Sequence, residues 1–158
     1  MTKSNVSITV AKKRHTLKNT VIAALNKTIL FLGRTFAGHV HDYTMLKKEF
    51  PPEQAWFELI AVLVDLGYQG ILTDYVGEAI QLPHKKPRKS KQNPVTTLST
   101  EQKADNKALS QIRILVENAI CGLKRYNILV HRFRNHRKSF DDEVIGIAAG
   151  LWNFNLNY

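Results

Sequence analysis

Leu59-Ile60-Ala61-Val62-Leu63-Val64-Asp65-Leu66-Gly67-Tyr68 is the stretch on which the fold turns. Its first six residues are apolar without a break and rich in β-branched side chains. Such a run reads as a strand buried on both faces, the habit of a central strand in a sheet covered by helices. Asp65 stands at its carboxyl end, and Gly67 and Gly70 bracket a turn. A carboxylate at the tip of a buried strand is costly unless it is paired, hydrogen-bonded or bound to a cation. Glu117 poses the same question in Arg113-Ile114-Leu115-Val116-Glu117-Asn118-Ala119-Ile120, where it lies inside a long helical pattern, on a helix that faces the core.

Working outward, Val6-Ser7-Ile8-Thr9-Val10 alternates with the period of a half-buried strand. Thr16 to Leu25 predicts a strand, Asn26-Lys27 a tight turn, and Thr28 to Phe36 the antiparallel partner. Tyr43 to Glu49 predicts a short helix with Asp42 as its N-cap, stopped by Pro51-Pro52. Ala79 to Leu82 predicts another short strand, ended by Pro83. A polar loop follows and carries Lys85, Lys86, Arg88, Lys89 and Lys91.

Ser99-Thr100-Glu101-Gln102 is a capping box. The helix it opens should run to about Lys124, with Ala108, Ile112, Leu115, Ala119 and Leu123 on its apolar face. Asn127 to Arg134 reads as an edge strand or a loop. Ser139 reads as the cap of a last helix, with Asp141, Asp142 and Glu143 at its positive end. The core face predicted for that helix is Val144, Ile147, Ala148, Leu151 and Trp152. The expectation is an α/β domain, a mixed sheet flanked by helices. Its element order is that of an RNase H-like domain lacking its first strand.

The chain has 158 residues, enough for one domain, and 44% of them are hydrophobic, enough for a real core. No apolar run approaches the ~20 residues that span a bilayer, and Met1-Thr2-Lys3-Ser4-Asn5 lacks the apolar stretch of a secretory signal. Both predict a cytosolic protein. A single cysteine, Cys121, excludes an internal disulfide framework and a cysteine-based zinc site, and its apolar neighbours predict a buried structural thiol. Twenty-three Lys and Arg against 13 Asp and Glu give a net charge of +10. The charge is clustered, which predicts a polyanionic partner, nucleic acid foremost. No basic amphipathic helix points to a membrane surface.

Five segments in order resemble the DDE transposases of bacterial insertion sequences, in the branch related to the eukaryotic Harbinger elements. They are Lys12-Lys13-Arg14-His15-Thr16-Leu17-Lys18-Asn19; Gly38-His39-Val40-His41-Asp42; Val64-Asp65-Leu66-Gly67-Tyr68-Gln69-Gly70; Lys85-Lys86-Pro87-Arg88 with Leu98-Ser99-Thr100-Glu101-Gln102-Lys103; and Asn106 to Arg113 running through Glu117 into Gly122-Leu123-Lys124-Arg125. The resemblance covers residues 12–158 and leaves 1–11 outside. It implies a partial RNase H-like catalytic domain with a basic loop at 84–98. It matches Asp65 to the second catalytic aspartate and Glu117 to the catalytic glutamate, both ligands of Mg²⁺, with Mn²⁺ as a substitute. Two such ions about 3.5–4 Å apart activate the attacking oxygen and stabilise the leaving one in phosphodiester cleavage and strand transfer.

Each residue also has a plainer reading. Asp65 can be a turn former before Gly67. Glu117 can pair with Arg113 one turn earlier. Asp42 is an N-cap or, less favoured, a third ligand. His39 and His41 can be loop histidines or, with Asp42, zinc ligands. Lys85, Lys86, Arg88, Lys89 and Lys91 are expected to meet DNA phosphates, with Lys124, Arg125, Arg132 and Arg134 extending the track. Trp152 stands where the family carries a histidine and should pack in the core, and Asn153 should bond locally.

The family's first aspartate ends a strand before the lysine segment, yet residues 1–11 contain no Asp or Glu. Val6-Ser7-Ile8-Thr9-Val10-Ala11 can be encoded by the family's Gln-Tyr-Tyr-Ser-Gly-Lys codons shifted by one base. The chain therefore reads as the downstream frame of a split or decayed transposase gene, inactive alone. Its expected partners are transposon-end and target DNA, the product of an upstream frame and other copies of itself, in the bacterial cytoplasm at the nucleoid. The alternative is a non-catalytic basic DNA-binding protein that regulates its parent element. A third reading is an interaction module without nucleic acid.

Overall fold

The computed structural model describes residues 6–7, 16–77, 79–90, 96–135 and 137–157. The two strands predicted between Thr16 and Phe36 form one interrupted antiparallel hairpin. β2 (Leu17–Lys18) pairs with β5 (Phe36–Ala37), and β3 (Thr20–Ala23) with β4 (Ile29–Leu32). Asn19 causes the break. It is buried, and its side-chain amide donates to the Gly33 carbonyl at 3.1 Å and to Thr35 Oγ1 at 2.8 Å. These bonds replace ladder bonds that the backbone gives up there. Lys27 turns the hairpin with φ 71°, and the register slips between Ile22 and Ala23. β1 (Val6–Ser7) lies antiparallel on the other edge of β3, giving the order β1-β3-β4. The edge that a missing first strand would leave open is thus occupied at Thr20 and Val21. Ile8, Thr9 and Val10 lie outside the described residues.

After α1 (Asp42–Glu49), the stretch at Leu59 yields less strand than its hydrophobicity predicts. β6 is only Val62–Leu63, paired parallel with β7 (Ile80–Gln81) through a crossover that contains a 3₁₀ turn at Leu66–Tyr68 and α2 (Ile71–Asp74). Leu59 is 94% exposed, and Phe57 is buried in its place against Phe50 and Tyr75. With the two residues of β7 as the ladder, pairing stops where β7 stops. The strand covered on both faces is β3 instead. Val21 and Ala23 point into the helix side, and Ile22 packs with Leu46, Phe50 and Tyr68 on the other. The described residues form three small sheets rather than one mixed sheet.

α3 (Thr100–Leu123) starts at the predicted capping box, with Ser99 Oγ accepting from the Gln102 amide and Gln102 accepting from the Ser99 amide. Its buried face is Val116, Ala119, Ile120 and Leu123. Ala108 is exposed and Ile112 and Leu115 half-covered, because the first half of α3 runs past the core. Cys121 is exposed, a turn off that face. The Asn127–Arg134 segment is a 3₁₀ turn at Asn127–Leu129 and then loop.

α4 (Phe140–Leu156) buries Val144, Ile145, Ala148 and Ala149 and leaves Ile147 and Leu151 outside, so its core face is turned from the predicted one. Ser139 precedes it with φ 60° and no side-chain cap bond. Trp152 explains the turn: its ring lies on Gly122, where any Cβ would collide with it, and its Nε1 donates to the Lys27 carbonyl at 2.9 Å. Asn153 bonds far from local. Its side chain accepts from the Ile29 amide and donates to the Ile29 carbonyl, each at 2.8 Å, clamping β4 to α4.

Candidate functional site

Asp65 leaves β6 in extended backbone, and its Oδ1 accepts the Leu66 amide at 2.7 Å, opening the 3₁₀ turn. The turn-forming reading of Asp65 is therefore correct as far as Oδ1 goes. Its other oxygen, Oδ2, faces Arg113 Nη1 at 3.3 Å. Arg113 sits on α3, and its Nε donates to Glu117 Oε1 at 2.9 Å one turn on. One guanidinium thus joins the strand-tip aspartate to the helix glutamate, residues far apart in sequence. The side chains of Asp65, Arg113 and Glu117 are 39%, 46% and 48% exposed. Glu117 is accordingly not core-facing: Val116, beside it, takes the buried position.

Asp42 is the first residue of α1 rather than its cap. His41 holds the cap position, its Nδ1 accepting from the Tyr43 amide. The extended backbone of His41 (φ −70°, ψ 137°) suits a cap, and a cap one residue earlier frees Asp42 for a partner. That partner is Lys18, whose Nζ donates to Asp42 Oδ1 at 2.9 Å and to the Val40 carbonyl at 3.1 Å. Asp42 Oδ2 lies 3.7 Å from where a Cβ on Gly67 would stand, so α1 brings it against the turn that Asp65 opens. Tyr68, buried in that turn, has its hydroxyl pKa pushed up by burial first, and then by the nearby carboxylates of Asp42, Asp65 and Glu49. Among the described residues, no three His, Cys, Asp or Glu side chains gather closely enough to hold a metal ion.

A cleft of about 180 Å³ adjoins the pair, lined by Leu63, Leu66, Leu109 and Val116 together with Asp65 and Arg113. A larger one, about 420 Å³, lies at the far end of α3 against Arg125, Tyr126 and Trp152 and touches neither acid. The smaller cleft is the candidate because chemistry borders it. His84, on its wall, has its backbone clasped by the Asn106 side chain at 2.8 and 3.0 Å. This anchors the start of the basic loop beside Asp65. Lys85 then reaches Gln69 Oε1 at 3.0 Å, and Lys86, Arg88 and Lys89 are exposed. Lys91 lies outside the described residues. Lys124 and Arg125 follow the end of α3, about 10 Å along the axis from Glu117 at 1.5 Å per residue.

The family model described as DDE superfamily endonuclease matches residues 4–153. The chain belongs to this family. Over 143 residues it is 34% identical to the "Probable transposase for insertion sequence element IS702" of Microchaete diplosiphon, covering 90% of this chain and 47% of the relative. The chain thus spans about half the length of that relative. No solved structure matches it. Endonucleases of this superfamily are divalent-metal dependent. Asp65 and Glu117 offer hard carboxylate oxygens of the kind such ions prefer, partly open to solvent, and both face the Arg113 guanidinium.

Two features escape the sequence. The Asp65–Arg113 contact joins residues 48 positions apart, on α3 and at the end of β6, and no local pattern encodes it. Glu49 reads as an ordinary last-turn residue, yet its carboxylate packs against Gly33 beside Thr20.

Proposed function

We propose that this chain is the catalytic domain of an insertion-sequence transposase, RNase H-like in plan, cutting and joining DNA with Asp65 and Glu117 as metal ligands. The observation that carries the reading is the convergence of both carboxylates on Arg113. Asp65 and Glu117 would hold Mg²⁺, or Mn²⁺ in its place. The ion, when bound, supplies Lewis-acid stabilisation of the charged phosphorus centre. Asp65 Oδ1 is engaged by the Leu66 amide, which fixes the carboxylate's plane and leaves Oδ2 for the ion. Lys85, Lys86, Arg88 and Lys89, with Lys91, draw the DNA backbone over the cleft by charge alone, and Lys124 and Arg125 extend that track. The substrates are transposon-end and target DNA.

In this scheme the domain takes its first acid from outside this chain, through an upstream frame of a split gene. Asp42, held by Lys18, is a structural acid in this scheme. No described helix is long and apolar enough to cross a membrane.

The test is nicking of supercoiled DNA that carries the element's ends, with Mg²⁺ or Mn²⁺. The 158-residue chain is compared with a fusion to the segment encoded upstream in the corrected frame. The fusion nicks and the chain alone does not; Asp65→Ala and Glu117→Ala abolish nicking in the fusion and leave DNA binding intact. A fusion that binds DNA and never cuts it favours the regulator instead. Equal nicking by the unfused chain overturns the missing-acid argument and makes Asp42 the third ligand.

A further inference from the structure

We propose that Arg113 is a built-in counter-cation for the carboxylate pair, a positioning residue that competes with a divalent ion for Asp65 and Glu117 and so sets the ion concentration at which the site loads. The inference rests on the reading of these two acids as the metal ligands. Asp65 Oδ1 is committed to the Leu66 amide, so Oδ2 is the oxygen left for an ion, and Oδ2 is the one that faces Arg113. On Glu117 the guanidinium takes Oε1. Loading an ion therefore means loosening Arg113 from both acids.

A guanidinium is a planar donor that presents its N–H groups in a fixed fork. That fork suits the task. Nε and Nη1 face different carboxylates, which holds the two acids within reach of one cation. An ammonium at this position faces one carboxylate well and the other poorly. All three side chains are close to half exposed, so the exchange needs no rearrangement of the core.

The test is Mn²⁺ binding to the full chain, followed by the electron paramagnetic resonance of the free ion. Exposed ion pairs each shift an equilibrium by a few-fold, so Arg113→Gln is expected to tighten Mn²⁺ about tenfold. Arg113→Lys is expected to tighten it by less. Should Arg113→Gln not fold, a Mg²⁺ titration of the wild-type chain reads the same event. The Arg113 Nε–H resonance then shifts with the occupancy of the site, and a resonance that never moves overturns the proposal. Asp65→Asn and Glu117→Gln separate the two ways of failing. If they leave Mn²⁺ affinity unchanged, the metal-site reading falls and takes this inference with it. If they weaken Mn²⁺ while both Arg113 variants bind as wild type does, the metal site stands and the Arg113 proposal alone is wrong. An Arg113→Lys affinity equal to wild type's, beside a tighter Arg113→Gln, assigns the effect to charge alone and overturns the bridging role.

Discussion

Glu49 and Asp65 are both acids beside apolar neighbours, and the fold treats them in opposite ways. Asp65 has two partners and partial exposure. Glu49 has its carboxylate against Gly33, with neither oxygen in a hydrogen bond of normal geometry among the described residues. Burial pushes its pKa up, and Thr20 and the Arg34 backbone lie close enough to temper that rise without reversing it. A carboxyl whose folded pKa is raised keeps its proton longer in the folded state than in the unfolded one. Its favourable contribution is complete below the unfolded value near 4.5 and is lost as pH rises through the folded value. Glu49→Gln should therefore raise the melting temperature at pH 7 and leave it little changed at pH 4, as thermal melts across that range will read. Asp65 gives a second contrast. Asp65→Ala removes the acceptor for Leu66 and should cost about 1 kcal/mol in a urea melt, whereas Asp65→Asn keeps an acceptor there and should cost less. Neither environment is legible from the residues alone. Asp65 announces itself by following an apolar run, and Glu49 sits beside two lysines like any solvated helix end.

At the scale of elements, what is legible is what is written locally. The capping box at Ser99, the length of α3 and the short strand before Pro83 depend on neighbours within a few residues, and each stands where the pattern puts it. The failures share a cause. Leu59 and Ile60 are as apolar as Val62 and Leu63, but strand exists where a partner strand runs alongside, and β7 offers two residues. α4 is apolar nearly all round, so periodicity does not fix which side faces in; Trp152 on Gly122 and Asn153 on β4 decide it. Asn153→Ala should consequently behave as a core mutation although the side chain is polar. It strips the Ile29 amide and carbonyl of their partners in a buried position, and a loss of about 2–3 kcal/mol is expected by chemical denaturation. Near-wild-type stability would show that water or a neighbouring strand replaces the clamp.

For the molecule as a whole, the charge of +10 is plain in the composition, and the fold gives part of it a place. His84, clasped by Asn106, sets the loop that carries Lys85, Lys86, Arg88 and Lys89 beside the carboxylate pair. Replacing these four with Ala should lower the slope of log DNA affinity against log salt by ~0.9 for each phosphate left without its cation. Titration of a labelled duplex at several salt concentrations measures it, and an unchanged slope removes the loop from the interface. The pairing of β1 with β3 is half legible, since Val6 to Val10 alternates like a strand while nothing local says which edge it seeks.

The clasp between Asn153 and Ile29 spans 124 positions, and it has a temporal meaning. Translation runs from the amino end, so the first hairpin leaves the ribosome long before the codon for Asn153 is read. Through that interval the Ile29 amide and carbonyl lack the Asn153 side chain, and the nascent hairpin is open to chaperones and to strands on neighbouring polysomes. Completion of the core therefore waits until codon 153 has been read. Messages broken upstream of codon 153 would yield short-lived polypeptides, cleared by proteases.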